Sequence, residues 1–233
     1  MDFRGRHVIV TGGTGALGVA VVGTLLEAGA ICHVPSTSES SADSFPHRSH
    51  ANVRLVTTGS LSDEAAVEKL YGDIPTLWAS IHLAGGYAAS KFADTEKTAL
   101  MQQMDLNFVT CFLCCRAAVR IMTSNGAGGR IVNVAARPAL EWRSGAGMTA
   151  YAASKAAVAA MTAALAEEVA KNGILVNAVV PSIMDTPSNR ASMPKANHAA
   201  WPKIEEVAQT ILFLASPVNR VTRGAMTPVY GRS

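Results

Sequence analysis

The chain reads as a doubly wound α/β protein, one parallel sheet covered by helices on both faces. Short β-branched runs alternate with longer segments of helical period along the whole sequence. The short runs are near-continuously apolar, as strands buried on both faces must be. At 233 residues, 49% of them hydrophobic and 16% charged, there is enough apolar material for one large core, and residues 1–233 are expected to form a single domain.

Taken in order, the first strand is His7 to Thr11, four of its five residues β-branched, and an apolar helix follows from Ala16 to Ala28. Ala30 to Val34 and Val53 to Val56 are the next strands, separated by a Ser-, Pro- and His-rich segment, Pro35 to Asn52, that reads as an irregular loop. The spacing then predicts a helix over Asp63 to Tyr71, a strand over Trp78 to Leu83 and a long helix over Thr98 to Thr123. Arg130 to Val134 is the fifth strand, Ala150 to Lys171 the Ala-rich helix after it, and Ile174 to Val179 the sixth strand. A helix over Glu205 to Ala215 and a strand over Ala225 to Val229 close the pattern, giving seven strands. Between them, Ala136 to Thr149 and Ser182 to Lys203 are long connections beyond strand ends. The second carries Pro187, Pro194 and Pro202 and is expected to be a substrate lobe, because ligands of open α/β sheets bind beyond the carboxyl ends of the strands.

A net charge of +3, with Lys and Arg scattered, argues against a nucleic-acid partner. The longest uncharged apolar stretch, Ala156 to Ala166, is too short to span a bilayer, and the first residues lack the long apolar segment of a signal peptide. A cytoplasmic protein without membrane contact is expected. Cys111, Cys114 and Cys115 fall in one helical segment and Cys32 in a strand. No histidine is close to the trio in sequence, so buried thiols and no metal are expected.

Two stretches carry chemistry. In HVIVTGGTGALG a strand turns through Gly12, Gly13, Gly15 and Gly18 into a helix, where glycine lets backbone approach a phosphate and the helix N-terminus offers N–H groups to it. That is the dinucleotide-binding turn of a Rossmann-type domain. A carboxylate at the end of the second strand would bind the ribose hydroxyls of NAD and repel a 2′-phosphate; AICHVPSTSES offers Pro35 and Ser36 instead and no acid until Glu39. With Ser36, Thr37 and Ser38 as phosphate donors and Arg48 within reach of the loop, NADP(H) is favoured over NAD(H). The second stretch is YAASK. Four helical residues advance about 6 Å, so Tyr151 and Lys155 share a face and can converge on one small-molecule carbonyl or alcohol. A free tyrosine titrates near ~10, and the lysine charge favours its anionic form.

TGGTGALG at 11 to 18, LAGG at 83 to 86, DLN ending at Asn107, YAASK at 151 to 155 and VNAVVPSIMDTP at 176 to 187 stand in one order. In these motifs the chain resembles the short-chain dehydrogenases/reductases over nearly its whole length. The resemblance implies NAD(P)-dependent oxidoreduction with Tyr151 exchanging the substrate proton, Lys155 binding the nicotinamide ribose and lowering the tyrosine pKa, and Asn107 supporting a water-mediated proton path. It also implies cofactor contacts from Gly12, Thr14, Gly15, Ala16, Leu17, Gly18, Ser36, Ser60, Leu61, Ala84, Gly85, Gly86, Pro181, Ile183 and Thr186, and a homodimer or homotetramer. The apolar Thr98 to Thr123 segment and the alanine-covered Ala150 to Lys171 helix, neither with a full polar face, support assembly independently.

Three departures from the family pattern matter. Ala16 replaces the middle glycine of the turn, His82 and Leu83 replace paired asparagines, and VNVAARPAL places Ala135, Ala136 and Arg137 where the catalytic serine belongs. GGTGALG, AGGYA, the alanine-bearing segment before GMTAY, and DTPSNRASMP followed by Trp201 are similar to the dihydropteridine reductase-like members, which work with alanine there. Arg137, Trp142, Ser144 and Met148 are then the candidates to hold a substrate, Arg137 foremost because a guanidinium can polarise a carbonyl, unless it is spent in a surface salt bridge. The rival expectation is a dinucleotide-binding sensor that has lost turnover.

Overall fold

A computed structural model describes residues 1–233. In chain order the elements are β1 (His7–Thr11), α1 (Ala16–Glu27), β2 (Ile31–Ser36), α2 (Glu39–Asp43), β3 (Val53–Thr57), α3 (Glu64–Gly72) and β4 (Ala79–His82). Then come α4 (Lys97–Met104), α5 (Thr110–Asn125), β5 (Gly129–Val134), α6 (Thr149–Glu168), β6 (Ile174–Pro181), α7 (Pro187–Ser192), α8 (Ile204–Ala215) and β7 (Met226–Val229). The strands form a seven-stranded sheet in the order β3-β2-β1-β4-β5-β6-β7, every pairing parallel.

Strand alternation splits the core. Val8 and Val10 of β1 pack towards α1 and α8, and Ile9 packs towards α3, α5 and α6, so the two faces carry cores of similar size, 22 and 24 buried residues. Helices α1 and α8 cross one face together because Val21, Val22 and Leu25 meet Val207, Ala208 and Ile211, all essentially fully buried. At about 1.5–3 kcal/mol for each large apolar side chain, this packing outweighs the weak helix propensity of the β-branched residues in α1.

The chain runs outward in opposite directions from β1 and β4, which leaves a crevice beyond their carboxyl ends. Thr11 Oγ1 accepts the Ala84 N–H at 3.3 Å and so holds the two strand exits side by side.

The structure refines the sequence reading at several places. The segment after β2 is not wholly irregular: β2 continues through Ser36, and Ser38 caps the short α2 by accepting the Ser41 N–H. The long helix runs Lys97–Asn125 and contains one π turn, Asp105–Val109, which no periodicity in the sequence marks. This helix has the length and apolarity to cross a membrane, because its few charges are widely spaced, yet half of its most apolar stretch is buried inside the fold. Finally, the 182 to 203 lobe contains α7 and is tied back at its far end, where Asp185 N–H donates to Pro202 O at 2.9 Å and Trp201 is buried.

The glycine turn makes this arrangement sensitive at one position. A Cβ on Gly18 would lie 2.2 Å from Gly12 O and 2.5 Å from Gly13 Cα, whereas one on Gly15 would meet only Gly12 O at 3.4 Å. Gly18→Ala is expected to lower stability by about 2 kcal/mol, with Gly15→Ala costing less than half of that, as read from urea midpoints of the two variants.

Candidate functional site

The glycine turn after β1 and the exit of β4 lie against each other at the crevice. Gly12, in the left-handed region at φ 68°, lies so close to the β4 exit that a Cβ would be 2.7 Å from Ala84 N. Gly15 stands at the N-cap of α1 without a side-chain cap, so the opening N–H groups of the helix at Ala16, Leu17 and Gly18 have no side chain to bond. Such an end suits an anion held against backbone, and Thr14 and Gly15 border it. The residues present therefore fit a dinucleotide phosphate.

Deeper in the crevice, the π turn aims Asn107 at the Gly85–Gly86 segment. Its Oδ1 accepts the Gly86 N–H and its Nδ2 donates to Gly86 O, both at 3.0 Å, and the side chain is buried. A Cβ at Gly85 would be 2.6 Å from Asn107 Oδ1 and 3.4 Å from Lys155 Nζ, so glycine there is a packing requirement. Lys155 is 7% exposed and donates to Val134 O at 2.9 Å. Burial holds its ammonium down to about 8. One turn earlier, Tyr151 is pushed up to about 12 by burial first and by Tyr87 second. Tyr87 meets it edge-on, ring centroids 5.0 Å apart at 81°, and is itself 62% exposed.

Gly12 to Gly18, Ala84 to Gly86, Asn107, Tyr151 and Lys155 thus line one crevice, as the motifs imply. Other expected residues stand differently. Ser36 is buried with its hydroxyl turned to Ser38 O and Ser41 Oγ, both at 2.8 Å. Arg48 is engaged with Asp43 rather than with the end of β2. Ser60 is exposed and bonded to Ser62 Oγ, while Leu61 is part of the core. Pro181 ends β6, Ile183 is exposed, and Thr186 accepts the Asn189 N–H to cap α7.

The substrate candidates divide as well. Arg137 is the salt-bridged alternative: Nε donates to Glu141 at 2.7 Å, Nη1 to Ser233 O, and the guanidinium lies over the Tyr230 ring. Trp142 is 78% exposed with its indole N–H on Ala139 O, and Ser144 donates to Glu141 O, so the loop folds into its own 3-10 turns and Ser144 does not fold back. Met148, at the N-cap of α6, is half-buried. Ala136 is buried and its side chain is a single methyl. Tyr87 was not among the sequence candidates. Its place directly after the AGG turn is the signal that could have found it.

A second cluster lies behind Lys155. The fold brings His82 against Cys111 and Cys115, three groups whose ligand atoms lie within 4.8 Å of one another, although His82 is 29 residues from Cys111.

Comparison with known proteins identifies the fold and the family. Residues 6–197 match the family model for short chain dehydrogenases. The galactitol 2-dehydrogenase of Rhizobium johnstonii is 33% identical, the match covering 97% of this chain and 93% of that protein. The crystal structure of gox2181 superposes with a TM-score of 0.91 at 27% identity, covering 99% of this chain and 96% of the other. The NADP-bound structure of ElxO gives 0.88 at 23% identity over 97% of each chain. Fold, crevice and family model converge, and the chain belongs to the short chain dehydrogenase family of NAD(P)-dependent oxidoreductases.

Proposed function

We propose that the chain transfers hydride between a nicotinamide and a small carbonyl, alcohol or related C=N compound, with Tyr151 as acid/base, Lys155 as its supporting charge and no serine. The observation that carries this reading is the buried Lys155 ammonium one helical turn from Tyr151, beside Asn107 and the Gly85–Gly86 backbone. The cofactor supplies the hydride and, when oxidised, a positive charge near the ring. Gly12 to Gly18 would hold its phosphates, Ala84 to Gly86 its middle, and Pro181, Ile183 and Thr186 the wall of the nicotinamide end. NADP(H) is preferred in this reading because β2 ends in Ser36 without a carboxylate, and the NADP-bound neighbour supports it.

Lys155 carries its proton at neutral pH, since its pKa is held near about 8 rather than far below 7. Tyr151, at about 12, also keeps its proton, so the cofactor-free site is poised to donate it to a carbonyl oxygen in the reduction direction. The reverse direction needs the phenolate. Bringing Tyr151 from about 12 to near neutrality requires roughly 7 kcal/mol of added positive potential, at ~1.36 kcal/mol per unit. With Ala136 in place of the usual hydroxyl and Arg137 paired to Glu141, the wall left to orient the substrate is Tyr87, Met148 and the 182 to 203 lobe. The resemblance of GGTGALG and AGGYA to dihydropteridine reductase-like members is in keeping with a reductase that needs no serine, pterin reduction being the alternative within this reading.

Assembly as a homodimer or homotetramer through the Lys97–Asn125 and α6 helices is part of the same reading. Leu100, Met101, Leu106 and Phe112 are exposed along the first of them.

Three measurements test the proposal. Tyr151→Phe should lower kcat for nicotinamide-linked reduction of a carbonyl panel, pterins included, by about 10²–10⁴-fold while cofactor affinity holds; tight cofactor binding without turnover in the wild type would instead mark a sensor. Ala136→Ser restores an oriented donor and should raise reduction of simple ketones about tenfold; an unchanged rate would show that the wall groups already fill that role. The third concerns stability. The folded pKa of Lys155 is about 8, below its unfolded value of ~10.4, so between those pH values the unfolded chain binds more protons and stability rises with pH. Below about pH 8 the burial cost is fully present. Cofactor-free Lys155→Met is therefore expected to be more stable than wild type by up to ~3 kcal/mol at pH 7, the gap closing towards pH 10, as followed by urea unfolding at several pH values.

A further inference from the structure

We propose that His82, Cys111, Cys115 and Asn133 form a buried tetrahedral site for a zinc-type divalent cation, behind the crevice and separate from it. Cys111 and Cys115 are four residues apart on α5 and present both thiols from one face of the helix. Opposite them, neighbouring strands β4 and β5 place His82 and Asn133 in direct register. All four residues are 5% exposed or less.

The distances are those of a coordination shell. Cys111 Sγ is 3.9 Å from His82 Nδ1 and 3.3 Å from Asn133 Oδ1, and Cys115 Sγ is 3.4 Å from each. Tetrahedral zinc with bonds of about 2.3 Å to sulfur and about 2.0 Å to nitrogen or oxygen separates sulfur from its neighbours by about 3.5 Å. The His82 Nδ1 to Asn133 Oδ1 pair, at 2.8 Å, has only to open slightly.

Without a cation the polar groups are poorly matched. Both thiols and His82 Nδ1 converge on Asn133 Oδ1, three donors on an oxygen with two lone pairs. The amide cannot turn to relieve this. Its Nδ2 donates to Thr162 Oγ1 at 2.8 Å, and that hydroxyl has already given its proton to Val158 O. The imidazole is anchored too, with Nε2 2.7 Å from Ser80 Oγ and 3.3 Å from Tyr71 OH. These are the outer contacts that orient metal ligands in a built site.

Binding balances without any redox partner. The cation takes two thiolates, their two protons leave to solvent, and the His82 proton resides on Nε2, donating to Ser80 Oγ. Two thiolates and a divalent cation sum to zero charge, so the core gains none and Lys155 feels little change. The effect is mechanical: α5 becomes pinned to β4 and β5 beneath the turn that carries Asn107.

The test is equilibrium dialysis of the full chain against Zn(II), with Co(II) absorption as the coordination probe. The wild type is expected to retain about one Zn(II) per chain and release about two protons, to melt at higher temperature with Zn(II) present, and with Co(II) to show thiolate-to-cobalt charge transfer and intense tetrahedral d–d bands. In Cys111→Ala/Cys115→Ala affinity should fall more than about 100-fold, whereas Cys32→Ala, on the opposite face of the sheet, should match wild type. Should the double variant fail to fold, His82→Asn, which must lose the imidazole ligand, replaces it. Wild-type retention no greater than that of the ligand variants, or a weak octahedral Co(II) spectrum without charge transfer, would overturn the site.

Discussion

The ammonium of Lys155 is the constraint around which the crevice is assembled. A charge that is 7% exposed must be met by fixed dipoles, and the nearest is the Val134 carbonyl at the exit of β5. One charged hydrogen bond contributes about 1.5–3 kcal/mol, less than the cost of burying the charge, which is why its pKa settles near about 8 and not at the free value. The remainder of the accommodation is steric. Gly85 leaves room for both Lys155 Nζ and Asn107 Oδ1, and Asn107 reaches that room only because the helix bearing it takes a π turn. Strand exits, helix geometry and a missing Cβ are therefore adjustments to a single buried charge, carried by the apolar packing on the two faces of the sheet.

Much of this was legible in the sequence, and what escaped has physical reasons. The seven strands and the long helices follow from period and β-branched content, because burial on two faces leaves little freedom for other patterns. The glycine turn, Asn107, Tyr151 and Lys155 were readable because each motif is local. His82 with Cys111 and Cys115 was not, since the cluster depends on strand register and on which face of α5 turns inward. The Arg137 pairing was half visible: Glu141 follows at i+4, the spacing of a helical ion pair, and the 3-10 turn brings the two together. The short α2 was hidden by its serines, which read as loop polarity until Ser38 is seen to cap a helix.

The loop from Ala136 to Thr149 and the lobe over 182 to 203 are not independent of one another. Arg137 donates to Ser233 O, Ser182 Oγ meets Ser233 Oγ at 2.7 Å, and Arg232 N–H donates to Ala200 O. The last residues of the chain thus lace the two together, so that a shift in one is felt by the other.

The π turn at Asp105–Val109 also fixes a phase. One additional residue in a helix rotates everything beyond it by about 100° relative to what precedes it. The outward apolar side chains of α4 and the inward thiols of α5 are therefore set against each other by that single inserted position. Loss of any one residue between 105 and 109 would leave two intact helices of the right composition facing the wrong way. Asn107 apart, this short stretch is constrained more by its length than by its residue types.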